Sequence, residues 1–366
     1  MIKYLVFLFP FILSCSTQKA VPPSETSEEV SYNFSADSSI LAFFDNLPDS
    51  TELSIGFYDN GNVEFLGIAK INGELRQVDN KEGIFEIGSI SKVFTSLLLA
   101  QFSTSGKLTL NDPLQDHLDF PLNPGDRGFD PNEVTLVQLS NHTSGLLRLP
   151  GDMLFSADMD ASNPYANYTK EDLEEHYKTN FYRQTAAGKV YNYSNLGAGI
   201  LGYVLEKKAG KSYDALLHAG VLDPLFMEST GCFIKDSSRL VSGRDLNGRV
   251  KNWDFGSLKG AGAIKSTATD MVKFLEMNIK TADPAYLMMR DSTFKVNDRM
   301  NVGLAWHLIK EAEEELLFHN GGTGGYSSSL VIDVSNQRGI IILSNMSATA
   351  IGGKVDEIAF RWMRRQ

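Results

Sequence analysis

The chain has 366 residues, 42% hydrophobic and 22% charged, an ordinary globular composition long enough for one large domain or two intimately packed lobes. A formal net charge of −11 argues against nucleic acid and against anionic lipid surfaces as partners. With 2 cysteines in all, the fold cannot depend on a disulfide framework.

At the N-terminus Lys3 precedes the apolar run Tyr4 to Leu13, which is too short to cross a bilayer as a helix and predicts an export signal over residues 1–14. Ile12-Leu13-Ser14-Cys15 resembles the bacterial lipobox, which implies cleavage before Cys15 and a lipid on that cysteine. The expected location is therefore the bacterial cell envelope, with a membrane anchor at the new N-terminus, facing the periplasm or the cell surface. Loss of Lys3 makes the charge balance one unit more negative. Cys232 then has no intramolecular partner and reads as a small buried hydrophobe. Residues 15–37, rich in Ser, Pro, Thr and Glu, bury too little apolar surface to offset ordering entropy and predict a flexible tether. Residues 38–366 form the predicted domain.

Leu53 to Tyr58 and Val63 to Ile68 read as strands joined at Asn60-Gly61, a pair suited to a tight hairpin. A β-like segment, Ile84 to Ile87, passes through Gly88 into a helix over Val93 to Phe102 that Gly106 closes. Further helices are predicted over Leu136 to Asn141 behind Thr135, and over Ala198 to Lys208 before Gly210. Ser328 to Asp333 and Gly339 to Ser344 flank the turn Asn336-Gln337-Arg338, and Val355 to Arg365 is helical. Strands at both ends with helices between them predict an α/β (α+β) fold. Its antiparallel sheet comes from N- and C-terminal segments flanked by helices, with a mainly helical lobe inserted in the middle. A cleft between the two lobes is the natural active site. No internal repeat and no second apolar run of membrane-spanning length occurs.

Ser89-Ile90-Ser91-Lys92 falls at the start of the first long helix, where residues three apart share a face, so the Ser89 hydroxyl and the Lys92 amine can approach each other. A serine hydroxyl needs a base, and an amine kept neutral by burial or by another cation can take its proton. Such a tetrad is common by chance, and two more segments give it weight. Tyr193 and Asn195, in Tyr191-Asn192-Tyr193-Ser194-Asn195, offer a phenol and a carboxamide two residues apart. In Phe318-His319-Asn320-Gly321-Gly322-Thr323-Gly324-Gly325 a strand ends in a donor side chain followed by glycines that let a substrate backbone lie close.

With these three motifs in this order, the sequence resembles the serine β-lactamase and penicillin-binding superfamily. Its branch of class C β-lactamases, DD-peptidases, D-aminopeptidases and esterases carries Ser-x-x-Lys, Tyr-x-Asn and a Lys/His-x-Gly strand. Val134 to Leu146, Pro224 to Met227 and Gly260 to Thr267 resemble the same framework, so the likeness covers roughly residues 40–366. It implies a β-lactamase/transpeptidase-like fold, an acyl-enzyme on Ser89, and general-base and general-acid work shared by Lys92 and Tyr193. It further implies that Asn195 orients a substrate amide, that the N–H groups of Ser89 and Gly322 form an oxyanion hole, and that His319, Asn320 and Gly321 contact substrate. Lys92 and Tyr193 both have reference pKa values near 10, and each could perturb the other, a nearby ammonium lowering that of the phenol and burial lowering that of the amine, so the sequence leaves open which is deprotonated.

The third motif has His319 where β-lactamases proper usually have lysine. Histidine is mostly neutral at pH 7, and its protonation at lower pH would strengthen binding of carboxylated substrates. The expected substrate is a small molecule or peptide, including cell-wall peptide, cleaved at a peptide, ester or β-lactam bond. The alternatives are a class C β-lactamase proper and a catalytically idle lipoprotein that binds penicillin or cell-wall peptide. No cofactor and no metal site are expected, since the histidines show no His-x-x-x-His pair and the cysteines no Cys-x-x-Cys. Gly210-Lys211-Ser212 reads as a helix terminus and His142 as a hydrogen-bonded turn histidine. His117, His176, His218 and His307 read as structural or surface groups, and Tyr165 and Tyr168 as cleft lining or lobe packing.

Overall fold

Both hairpins foreseen from the sequence lie at the centre of one sheet in the computed structural model of the protein, which describes residues 37–124, 130–155, 159–311 and 314–364. The export signal, Cys15 and nearly all of the tether fall outside the described residues. Strands β1 (Glu52–Asp59) and β2 (Asn62–Ile71) turn through Asn60 and Gly61 at φ 50° and 93°, the twist-compatible geometry that an Asn-Gly pair adopts at little cost. They are followed by β3 (Glu74–Val78) and the two-residue β4 (Phe85–Glu86). A small hairpin, β5 (Arg244–Asp245) with β6 (Gly248–Arg249), and the short β7 (Lys265–Ser266) come much later in the chain. Then β8 (Phe294–Lys295), β9 (Met300–Val302), β10 (His307–Glu311), β11 (Glu314–Gly322), β12 (Ser327–Asp333) and β13 (Arg338–Ser344) follow in quick succession.

The main sheet has 9 strands in the order β3-β2-β1-β13-β12-β11-β10-β9-β8. Its two chain ends meet in the middle, where Leu53 pairs with Ser344 and Tyr58 with Gly339 in antiparallel register. The Ile84 to Ile87 segment does not join this sheet. Its β4 pairs with β7 instead, Phe85 with Ser266 and Glu86 with Lys265, which turns it out of the sheet toward the cleft.

Helices α1 (Ser38–Phe44), α2 (Ser91–Thr104), α3 (Leu136–Ser140), α4 (Gly151–Phe155), α5 (Lys170–Thr179), α6 (Asn195–Ala209) and α7 (Tyr213–Leu217) precede α8 (Ala268–Lys280) and α9 (Pro284–Arg290). The chain closes with α10 (Ala348–Ile351) and α11 (Lys354–Met363). Local signals set their ends: Thr135 and Gln138 form a capping box at α3, and Gly210 at φ 63° stops α6 in the left-handed conformation. Alternation along β1 sorts the two faces of the sheet. A Cβ at Gly56 would strike Val272 of α8, whereas the next residue, Phe57, lies 5.2 Å from Trp362 of α11.

Buried on every side from Ser91 to Ala100, α2 is the axis of the molecule, as expected for a helix that is apolar all round. Phe94 stacks on Phe274 of α8 at 4.2 Å, tying α2 to the helix that packs on the sheet. Both rings are fully buried. Phe94→Ala is expected to lower unfolding stability by about 3–5 kcal/mol, because the vacated volume cannot collapse between two packed helices. A urea titration showing an unchanged m-value and a midpoint shifted to match would confirm it; a shift worth under about 1 kcal/mol would contradict it.

Candidate active site

Ser89 sits on a tight turn, Gly88–Ile90, between β4 and α2. Backbone bonds fix this turn from one side, Ile87 N–H donating to the Ile264 carbonyl at 3.0 Å and Ile264 N–H to Ser91 Oγ at 3.1 Å. On the other side Ser328 Oγ donates to the Ile87 carbonyl at 2.9 Å. Gly88 has φ 50°, and a Cβ there would lie 2.6 Å from the Gly322 nitrogen, so the turn can lie against β11 only because residue 88 has no side chain. A Cβ at Gly321 would overlap the Ile87 carbonyl.

Lys92 is 1% exposed and donates to Ser89 Oγ at 3.0 Å and to the Ala261 carbonyl at 2.7 Å. The Gly260-Ala261 carbonyls are aimed at α2 by packing: Thr95 Oγ1 donates to Gly260 at 2.8 Å, and Gly202 of α6 leaves room for the Gly260 backbone. Tyr193 completes the group, its ring centroid 4.8 Å from Lys92 Nζ and its hydroxyl engaged with Ser89. His142, at φ 63°, packs with its ring centroid 4.2 Å from that of Tyr193, the planes tilted by 35°, and accepts from Ser194 N–H through Nδ1 at 3.2 Å. It is thus a buried turn histidine that positions the motif. Asn195 opens α6, its amide Nδ2 donating to Tyr165 Oη at 2.8 Å while its buried Oδ1 has no hydrogen-bond partner among the described residues.

A cleft of about 560 Å³ runs over this group and is lined by Ser89, Tyr193, Asn195, Asn320, Gly321 and Gly322. These sequence-predicted residues are therefore brought together. Tyr165 also lines it, stacked at 4.5 Å on Phe255 and 5.4 Å from Trp253, so that the three rings form an apolar wall. Tyr168 packs elsewhere, its hydroxyl 3.3 Å from an Asp152 carboxylate oxygen. Asn320 is held in place by donating to Asp356 of α11 at 2.7 Å.

Two expectations are corrected. His319 is fully buried and is not among the cleft-lining residues; its Nδ1 contacts its neighbour's carbonyl, Asn320 O, at 2.7 Å, and its ring lies 5.2 Å from His307. Burial above all, with His307 and Lys92 close by adding to it, holds its pKa well below 6.5, so it is neutral near pH 7 and offers no cation to a substrate there. His307, expected to be a structural or surface group, lines the cleft instead, with Nε2 2.8 Å from Tyr191 Oη and its pKa pushed down to about 4 by burial. Pairing of β10 with β11, which sets His307 opposite Phe318, brings it there.

Burial separates the two candidate bases. It lowers the Lys92 pKa well below 10.5, with the Arg148 charge adding to the effect, and it raises that of Tyr193 above 10. Of the two perturbations that the sequence leaves open, burial of the amine prevails, and at the phenol desolvation outweighs any lowering by nearby charge. Sequence reasoning missed Arg148, Trp253 and Phe255, which line the cleft from loops with no local signature. Cys232 is buried, with its thiol pKa raised by burial, as its reading as a small hydrophobe requires. Among the described residues no group of three or more His, Cys, Asp or Glu could hold a metal ion.

Comparison with known proteins places this geometry in context. Residues 47–357 match the family model described as Beta-lactamase. A relative described as "Beta-lactamase" from Pseudomonas fluorescens is 25% identical over 337 residues, 81% of this chain and 89% of that protein. "Protein flp" of Staphylococcus aureus is 23% identical over 297 residues and 75% of this chain, which spans only 55% of that protein's length. The crystal structure of a "Beta-Lactamase/D-Alanine Carboxypeptidase" from Pseudomonas syringae superposes with a TM-score of 0.74 at 19% identity, covering 89% of this chain and 97% of that one. It shares the α/β architecture with its large antiparallel sheet.

A base of depressed pKa has a kinetic signature. Phosphonylation of Ser89 by a fluorophosphonate is expected to accelerate with rising pH along one limb, as Lys92 loses its proton, with a midpoint well below 10.5. A midpoint at the ordinary lysine value would contradict a buried neutral amine. His319 adds no titration between about pH 6 and 8, its protonated form lying well below the usual 6.5.

Proposed function

Because the chain belongs to the Beta-lactamase family, we propose that it is a serine hydrolase that works through an acyl-enzyme on Ser89, on a peptide, ester or β-lactam substrate in the bacterial envelope. The observation behind this reading is the 3.0 Å contact between Ser89 Oγ and a Lys92 amine that α2 keeps out of water. When Lys92 is neutral, the Ser89 O–H donates to its lone pair, and attack of Oγ on the carbonyl carbon transfers the proton to nitrogen. The ammonium so formed, or Tyr193 relaying its proton, protonates the leaving group as the carbonyl–leaving-group bond breaks. Water then attacks the ester with Lys92 as base, and Ser89 recovers its proton.

Developing negative charge on the carbonyl oxygen is met, in this reading, by the N–H groups of Ser89 and Gly322, which the close approach of the Gly88 and Gly322 backbones supports; one such donor is typically worth about 3 kcal/mol. Asn195 Oδ1, buried without a hydrogen-bond partner among the described residues, is suited to accept from a substrate amide N–H. A histidine in place of the usual lysine at position 319, buried as it is here, favours peptide and ester substrates over efficient β-lactam turnover.

Purified enzyme is expected to hydrolyse at least one member of a panel of generic esters, D-amino-acid amides and labelled penicillin. Ser89→Ala should reduce that rate by about 10⁴-fold or more. Equal rates for wild type and Ser89→Ala would sink the reading, and stable acylation without turnover would point to a receptor instead. We propose further that residues 1–14 are removed and Cys15 carries the lipid anchor. Cells fed a tagged fatty acid should label the wild type and not Cys15→Ser, and label retained on Cys15→Ser would refute the assignment.

A further inference from the structure

In a protein of net charge −11, the described residues that line the cleft include no carboxylate and one permanent charge, Arg148. Its backbone is clamped, the Arg148 carbonyl accepting from Asn195 N–H at 2.9 Å and Leu196 N–H at 3.2 Å. The guanidinium is exposed to the cleft, 5.0 Å from the Tyr193 ring centroid, and makes no hydrogen bond or ion pair with any described residue. Five N–H donors in a fixed fork are thus left open beside the nucleophile, in the arrangement that fits a carboxylate through two parallel bonds. Lys92, its amine 4.8 Å from the same ring centroid, is a basic group and cannot act as a counter-ion, and with no carboxylate among the described lining residues nothing there neutralises Arg148. His319, the residue from which the sequence suggested a carboxylate contact, is buried and neutral and leaves that role open.

We propose that Arg148 is the specificity determinant of this cleft, its guanidinium receiving a substrate carboxylate, so that the enzyme prefers carboxylated acyl compounds to neutral ones of the same shape. This rests on the Ser89 acyl-enzyme reading. The carboxylate can belong to the acyl portion or to the leaving portion of the substrate, and the pairing chemistry is the same in both.

Two series of activated esters separate these sources, one with a free carboxylate on the acyl portion and one with it on the leaving portion, each matched with its neutral carboxamide. The readout is the ratio of kcat/KM for acid over amide, which cancels any general effect of Arg148 on Lys92. Wild type is expected to give a ratio of about 10–100 in one series, the discrimination usual for a charge-assisted bond, and the ratio should shrink as salt is raised to about 1 M. Arg148→Gln should bring it near one, Arg148→Glu below one, and Arg148→Lys should keep part of it; turnover of the amide shows that each variant is folded. A ratio near one in both series for wild type, or one that Arg148→Gln leaves unchanged, overturns the assignment while leaving the hydrolase reading intact. Absence of all turnover together with no fluorophosphonate adduct on Ser89 overturns both.

Discussion

The site exists because two stretches of backbone touch where neither has a side chain. Gly88, at φ 50°, lies against Gly322, and Gly321 passes under the Ile87 carbonyl. Any Cβ at these places would push the serine turn away from β11 and separate Ser89 from the strand that borders the cleft. The remaining contacts hold this approach in place. The β4–β7 pair anchors the turn from behind, Ser328 ties it to β12, and the packing of α6 on Gly260 delivers the Ala261 carbonyl to Lys92.

One physical cause, exclusion of water around α2, then produces opposite effects on neighbouring groups. Desolvation disfavours whichever form is charged. Lys92 and the histidines are therefore driven toward neutrality from above, and Tyr193 is held protonated from below. The outcome is an amine shifted toward its neutral form next to a hydroxyl, with a phenol shifted toward keeping its proton. Keeping Lys92 in so dry a place costs stability, a common exchange at active sites. The fully buried apolar body of α2 offsets that loss.

The cleft differs electrostatically from the molecule that surrounds it. An acidic protein presents, in the cleft that holds Ser89, the cation of Arg148 and an apolar wall of Tyr165, Trp253 and Phe255. A field of that kind selects among substrates by charge before any side-chain fit is tested.

Much of the fold could be read from the chain because its signals are local. Asn60-Gly61 specifies a turn through its own backbone preferences, Thr135 and Gln138 cap a helix within one turn, and Gly210 ends one. Ser89 with Lys92, and Tyr193 with Asn195, are legible for the same reason, each pair lying within a few residues where a turn or loop runs into a helix. What the sequence could not determine depends on residues far apart. Arg148, Trp253, Phe255 and His307 reach the cleft from separate loops and strands, and no spacing rule connects them to Ser89. Burial is likewise a property of the assembled core. His319 carries the same letters whether it faces substrate or lies beneath the cleft, and only the packing of β11 against the rest decided that it is a neutral, inward histidine and that Lys92 rather than Tyr193 is the group poised to lose its proton.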